Sequence, residues 1–228
     1  MEKGPETLLE AVLSVIGPGG TLVVPSGTAN NSNTSPAFHA ATRGMSPARV
    51  AEYEAAMPGF DRDHTPSFGM GAFAEFVRTL PGATRSAHPQ TSFSAIGPLA
   101  EKLTLTHKLE SHLGDDSPLS ALYAADAAAL LIGVGYESCT ALHLAEYRRA
   151  RPPKEAWHRC FVQADGYRVR HDFLARKLDP SCFVDLGTDL DKTGFVEFGQ
   201  VGDAISRLVP IRQSVDFAVQ WMDEHIAY

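Results

Sequence analysis

The stretch Ala127–Glu146 reads AAALLIGVGYESCTALHLAE, and its reading decides the fold. Its first part, Ala127–Val134, is an apolar run of strand length, with Asp126 before it and Gly133 and Gly135 at its end. A short apolar run bracketed by turn residues predicts a buried strand. Beyond the glycines, Glu137, Ser138 and Thr140 offer N-cap oxygens, and Ala141, Leu142, Leu144 and Ala145 favour helix. The expected unit is strand, glycine-containing turn, helix. In such α/β units ligands favour the crevice at the carboxyl ends of the strands.

His143 and Glu146 are three residues apart and share one face of that helix. A carboxylate beside an imidazole holds one tautomer and raises the ring's basicity, which suits a general base near neutral pH. The same spacing also describes an incidental pair on a surface helix. A metal site needs further ligands, and the order here is the reverse of the Glu-x-x-His pairs of metal-binding bundles. Cys139 stands one helical turn before His143. A thiol near a histidine and a helix start can act as a nucleophile, and a buried one is inert packing.

Working outward, Pro5–Ile16 reads as a helix with Leu9, Val12, Leu13 and Ile16 on one face, stopped by Gly17-Pro18. Thr21–Pro25 reads as a strand, and Ser26–Phe38 as a long polar loop. Helical spacing is found over Pro47–Met57, Phe68–Leu80 and Ser94–Leu105, with the loop Pro58–Pro66 and the connection Arg85–Phe93 between them. Asp116 or Ser117 ahead of Pro118 marks a helix start before the central strand. Cys160–Gln163 and Tyr167–Arg170 read as strands joined at Asp165-Gly166, a hairpin signal. Cys182–Leu186 and Gly194–Phe198 read as short strand-like or irregular pieces, and Gly202–Val209 and Ile211–Ile226 as closing helices. No linker rich in Gly, Ser or Pro divides the chain. The expectation is one α/β domain over residues 1–228, with a central mixed β-sheet flanked by helices.

The 228 residues are 44% apolar and 21% charged, with a net charge of −7. No apolar run approaches the ~18 residues of a membrane span, so no membrane is expected. The N-terminus carries acids and lacks a cleavage site of small residues, against a signal peptide. Three widely spaced cysteines without a CxxC pair predict neither a zinc ribbon nor a disulfide framework, and point to a reduced, cytoplasmic compartment. The single dense basic run, RRARPPK at 148–154, is too small for nucleic acid. The acidic balance fits either plain solubility or the attraction of cationic ligands.

TALHLAE after GVGYESC resembles the aminoglycoside N(3)-acetyltransferase family, whose members carry a Thr-x-x-His-Leu-x-Glu helix after a glycine turn. Four further stretches resemble it in the same order. They are GPGGTLVVP at 17–25, residues 64–97 with Thr-Pro, Met-Gly and Arg-Ser-x-His-Pro, DDSPLSALYAAD at 115–126, and VGDAISRL with VDFAVQWM at 201–222. The resemblance implies transfer of acetyl from acetyl-coenzyme A to the 3-amino group of a deoxystreptamine aminoglycoside, giving antibiotic resistance. It implies His143 as general base, Glu146 orienting it, and Thr140 or nearby backbone N–H groups meeting the oxyanion. It also implies coenzyme contacts around Thr65, Met70, Gly71, Arg85, Ser86, His88, Ser92 and Phe93. Acids are expected for a cationic aminosugar, and Asp61, Asp63, Glu137 and Glu146 are the candidates. No metal is expected, and the oligomeric state is left open, a homodimer included.

Two departures stand out. Family members begin earlier, with a strand ending in His-Ser-Ser-Leu, whereas this sequence starts at Met1-Glu2-Lys3-Gly4-Pro5 and holds no His-Ser-Ser. The expectation is a shortened member in which another segment or subunit replaces the strand, or in which catalysis is weak. The polar loop 26–38 also replaces a more aromatic one, which opens the alternatives of another amine acceptor or of binding without turnover.

Overall fold

The computed structural model describes residues 4–226, so the expectation about the first residues, Met1 to Lys3, lies outside them. In chain order the elements are α1 (Gly4–Ile16), β1 (Leu22–Pro25), α2 (Pro36–Ala41), α3 (Pro47–Ala56), α4 (Ala72–Arg78), β2 (Thr84–Arg85), β3 (Phe93–Ile96), α5 (Ala100–Thr104) and α6 (Pro118–Ala124). There follow β4 (Ala128–Ile132), α7 (His143–Arg148), β5 (Glu155–Ala164), β6 (Tyr167–Arg176), α8 (Phe183–Leu190), β7 (Glu197–Val201), β8 (Ala204–Pro210) and α9 (Ile211–His225). Three helices start with the same device. Ser35, Ser46 and Ser117 each precede a proline, and each hydroxyl accepts a backbone N–H of the first turn, from Phe38, Arg49 and Leu119.

The chain gathers into two compact units, one of residues up to His112 with Ala156–Ala175, the other of Leu113–Glu155 with Arg176 onward. In the first unit β3 lies between β1 and β2, antiparallel to both, with Val24 opposite Ser94 and Thr84 opposite Ala95. Val24, Ala74 and Val77 form a core there, with Leu9, Leu22, Phe73 and Ile96 packed against it. The hairpin of β5 and β6 turns at Asp165 and Gly166, both at positive φ, as a two-residue turn matched to strand twist requires. Its Cys160, Phe173 and Ala175 pack with Leu109.

In the second unit β8 lies between β4 and β7, again antiparallel, with Leu131 opposite Arg207 and Leu130 opposite Leu208. Leu131 and Val209 are buried in it, as are Val215, Ala218 and Met222 of α9 and Phe183, Leu186 and Leu190 of α8.

The mixed helix-and-strand class is as read from the sequence, with its strands in small antiparallel sheets. Several local readings are corrected. β4 is an edge strand with one face open, Leu130 being exposed, so its apolar run does not mean burial on both faces. Ser94–Leu105 is not one helix. Ile96 belongs to the central strand β3, Gly97 at φ +126° breaks the chain, and only Ala100–Thr104 is helical. Cys182–Leu186 enters α8, and Gly202–Val209 is a hairpin turn and β8, with Gly202 at positive φ. The loop 26–38 contains a 3-10 turn at Ala29–Asn31 and the start of α2. Helix α4 begins later than Phe68 because Gly69 and Gly71 both take positive φ.

Tyr136, in the turn after β4, is buried against α8, and its hydroxyl donates to Asp191 Oδ1. Gly187 makes this possible: a Cβ there would stand 2.0 Å from Tyr136 Cδ2. Gly187→Ala is therefore expected to destabilise the protein by about 2 kcal/mol, as overpacking does. A urea midpoint equal to wild type would show that Tyr136 moves aside without cost.

Candidate active site

In the second unit, two successive 3-10 turns, Tyr136–Ser138 and Thr140–Leu142, carry the chain from β4 to α7. His143 opens α7 and Glu146 lies in its first turn. The His143 Nδ1 and Glu146 Oε2 are hydrogen-bonded, so the pair anticipated from its spacing is formed. Glu146 is 4% exposed. Its other oxygen, Oε1, accepts the backbone N–H of Asp179 at 2.8 Å. The His143 ring packs against Phe183 with centroids 4.8 Å apart. With Nδ1 committed to the carboxylate, the lone pair of a neutral ring is at Nε2. Asp179 and Phe183 were not anticipated. The Asp-Pro-Ser sequence at 179–181 is a helix-start signal that would have placed a turn there.

Thr140 is half-buried in the turn directly before His143. Cys139 is buried, and burial pushes its thiol up to about 11. Such a thiol holds almost no thiolate at neutral pH. Glu137 is exposed and folds back on its own turn, accepting the Gly135 N–H at 3.2 Å.

The remaining candidates lie in the first unit, where most turn out to be held by protein groups. Arg85 is buried. It donates to Ser92 Oγ at 3.0 Å and to the carbonyls of Arg62, Thr65 and Ser26, and its guanidinium lies 5.0 Å from the centre of the Phe60 ring. Burial, and then Arg78, lower its pKa to about 10. Ser86 Oγ accepts the Phe93 N–H and bonds His107 Nδ1, both at 2.9 Å. Ser92 Oγ donates to the Ser26 carbonyl, and Phe93 is buried. Thr65 Oγ1 accepts the Asp61 N–H. Asp61 Oδ1 in turn accepts the N–H groups of Asp63 and His64, and the bond from the His64 N–H lowers the Asp61 pKa most. Asp63 is exposed beside Arg62. Met70 is exposed, and Gly71 at φ +86° precedes α4. An open cavity of about 350 Å³ runs past Arg62, Asp63, Thr84, Arg85 and Glu101.

His88 is fully buried. Its Nδ1 accepts the N–H groups of Gln90 and Thr91, and its Nε2 meets the Leu109 carbonyl. It also begins a stack that was not foreseen. His107 and His112 lie 4.6 and 4.7 Å from His88, ring centre to ring centre, and His158 lies 4.5 Å from His112. Phe173 closes the stack against His112 and His158. These histidines are spread over 70 residues, so no local spacing announces them. Among the described residues no group of three or more His, Cys, Asp or Glu side chains is arranged to hold a metal, and no helix is long and apolar enough to cross a membrane.

The family model described as aminoglycoside 3-N-acetyltransferase matches residues 1–223. Aminoglycoside N(3)-acetyltransferase VII of Streptomyces paromomycinus is 34% identical over 241 residues, covering 98% of this chain and 81% of that protein. The crystal structure of YokD protein from Bacillus subtilis is similar at a TM-score of 0.89 and 29% identity, over 97% of this chain and 81% of that one. AAC-IIIb, solved as a binary complex with CoASH, is similar at a TM-score of 0.82 and 26% identity, over 97% of this chain and 84% of that one.

The histidine stack sets the response of the first unit to acid. Burial lowers His107 to about 4 and His112 to about 3, from an ordinary 6.5, and holds His88 well below that value and His158 below it. The unfolded chain binds protons that the folded rings refuse. Stability is therefore complete above pH 6.5 and is lost as pH falls from 6.5 toward 4 and 3. By pH 5 the loss from His107 alone is about 2 kcal/mol. The Nε2 atoms of His112 and His158 are buried without a partner among the described residues, so phenyl rings should fit there. Urea midpoints between pH 7.5 and 5 are expected to fall in wild type and to fall less steeply in His112→Phe/His158→Phe, which keeps His88 and His107. A flat wild-type curve would contradict the neutral, buried state of the rings.

Proposed function

The chain belongs to the aminoglycoside 3-N-acetyltransferase family, and from that membership we propose that it moves an acetyl group from acetyl-coenzyme A to the 3-amino group of a deoxystreptamine aminoglycoside, conferring antibiotic resistance. The observation that carries the mechanism is the His143–Glu146 pair, buried at the carboxylate, with the Nδ1 of the ring committed to it. An alkylammonium must lose a proton before it can attack a thioester. His143 Nε2 takes that proton, and Glu146 stabilises the imidazolium that results. The amine nitrogen then bonds to the thioester carbon. The carbonyl oxygen becomes an oxyanion, met by the Thr140 hydroxyl or by backbone N–H groups at the start of α7. The tetrahedral intermediate collapses with cleavage of the carbon–sulfur bond, the leaving thiolate takes the proton back from His143, and the second proton on the attacking nitrogen then passes through the freed imidazole to solvent. Acetyl amide and free coenzyme A are the products.

Direct transfer is favoured over an acyl-enzyme because the Cys139 thiol is buried and its pKa is raised. For the coenzyme we assign the segment holding Thr65, Met70, Gly71, Arg85, Ser86, His88, Ser92 and Phe93. The side chains of Arg85, Ser86, His88 and Ser92 are committed to the protein, so they serve by fixing the backbone there. AAC-IIIb, the relative solved with CoASH, supports coenzyme A as cosubstrate. Asp61, Asp63, Glu137 and Glu146 are the acids assigned to the cationic acceptor. Of these, Asp63 is exposed and is paired only with the exposed Arg62. The free cysteines and the use of acetyl-coenzyme A favour the cytoplasm.

The test is release of free thiol from acetyl-coenzyme A with a panel of deoxystreptamine aminoglycosides. Wild type is expected to release thiol only with an acceptor bearing a 3-amino group. His143→Ala is expected to lose at least about 100-fold in kcat with coenzyme affinity retained. Cys139→Ala is expected to remain close to wild type. Unchanged turnover in His143→Ala would remove His143 from the mechanism, and the absence of transfer by wild type to every acceptor would sink the proposal.

A further inference from the structure

We infer that the turn from Asp179 to Phe183 is the positioning element of the His143–Glu146 pair, an inference that rests on the proposed role of His143 as base. The Glu146 carboxylate is held at both oxygens, by His143 Nδ1 at one and by the Asp179 N–H at the other. A carboxylate held at one oxygen can still rotate about its last bond; held at both, it cannot. Its orientation decides whether the imidazole keeps the proton at Nδ1 and the lone pair at Nε2.

The turn has its own means of aiming that N–H. Asp179 Oδ1 accepts the Ser181 N–H at 2.9 Å, which fixes the Asp179 backbone at φ −141° and ψ 103°. Pro180 follows with its restricted φ. Two residues after Ser181, the fully buried Phe183 starts α8 and lays its ring against His143, 4.8 Å between centres and 54° between planes. One five-residue segment thus holds the carboxylate from one side and the imidazole from another. Asp179 and Phe183 touch no reacting atom and act through the pair. His143 on α7 pairs with Glu146, and the Cys182 thiol on the turn faces Glu146, Asp179 and Arg149 just after α7.

The experiment compares wild type, Asp179→Ala and Asp179→Asn by two readouts. One is the pH profile of kcat/KM from pH 5.5 to 9. The other is the His143 tautomer, read by long-range proton–nitrogen correlation in protein labelled at histidine nitrogen. Asp179→Ala is expected to lower kcat about tenfold with the KM for acetyl-coenzyme A unchanged, through loss of orientation. It should also shift the acidic limb of the profile and mix the His143 tautomers. Asp179→Asn removes the charge and keeps the accepting oxygen, so it should restore both readouts. A wild-type profile and tautomer in Asp179→Ala would overturn the inference. So would an Asp179→Asn protein as impaired as the alanine variant, since charge would then be the cause. If Asp179→Ala does not fold, Pro180→Ala loosens the same turn and is read in the same way. If wild type transfers nothing to any aminoglycoside, the proposed function fails, and the tautomer comparison alone decides the turn.

Discussion

A buried carboxylate is the constraint on which the second unit depends. Taking a charge out of water costs several kcal/mol unless hydrogen bonds replace the lost hydration. Glu146 meets that cost with an imidazole and one backbone N–H. Both donors must arrive at fixed positions, and the surrounding elements supply them. The 3-10 turns after β4 deliver His143 to the start of α7. The capped turn at Asp179 delivers the N–H. The buried stripe of α9, with Val215, Ala218 and Met222, gives the unit a packed core for α7 and α8 to rest against. Gly187 is part of the same requirement, since a side chain there would displace Tyr136 from the turn that leads to His143.

The first unit solves the opposite problem. Its buried and half-buried ionisable groups include four histidines held below their ordinary pKa and an arginine that stays charged. Arg85 remains charged because carbonyl oxygens and the Phe60 ring surround it. The histidines remain neutral because burial and mutual proximity disfavour every proton. Arg85 spends its donors on the carbonyls of Ser26, Arg62 and Thr65, and His88 Nδ1 accepts the N–H groups of Gln90 and Thr91, which ties these segments together. Any ligand held there would meet the shape and the main-chain groups of the segment rather than the guanidinium of Arg85.

The central pair was legible in the sequence because its geometry is local. Two residues three apart on one helix face define it, and flanking glycines and apolar residues mark the strand and the turn. The helix start at Ser117-Pro118 and the Asp165-Gly166 hairpin tip are local in the same sense, whereas the start at Ser35-Pro36 fell inside a segment read as a loop. What could not be read depends on residues distant in the chain. The stack of His88, His107, His112 and His158 is assembled by tertiary packing. The Asp179 N–H is a backbone group, identical in every residue but proline, so only its position gives it a role. The misread segments share one cause. In Ser94–Leu105 and Gly202–Val209 apolar residues fell at helical spacing, but a positive-φ glycine at Gly97 or Gly202 divides the pattern into strand and turn.

Cys139 and His143 illustrate how burial separates two nucleophile arrangements that look alike in sequence. Both side chains stand within one turn at a helix start, and thiol beside imidazole is a recurring catalytic combination. Here the two environments differ. Burial penalises the anion of the thiol, while the imidazole is hydrogen-bonded to a carboxylate. A site that supports a cation at His143 and opposes an anion at Cys139 favours taking a proton from an incoming ammonium over storing an acyl group. On the proposed reading the acyl acceptor is the amine itself, with both substrates bound together for the transfer.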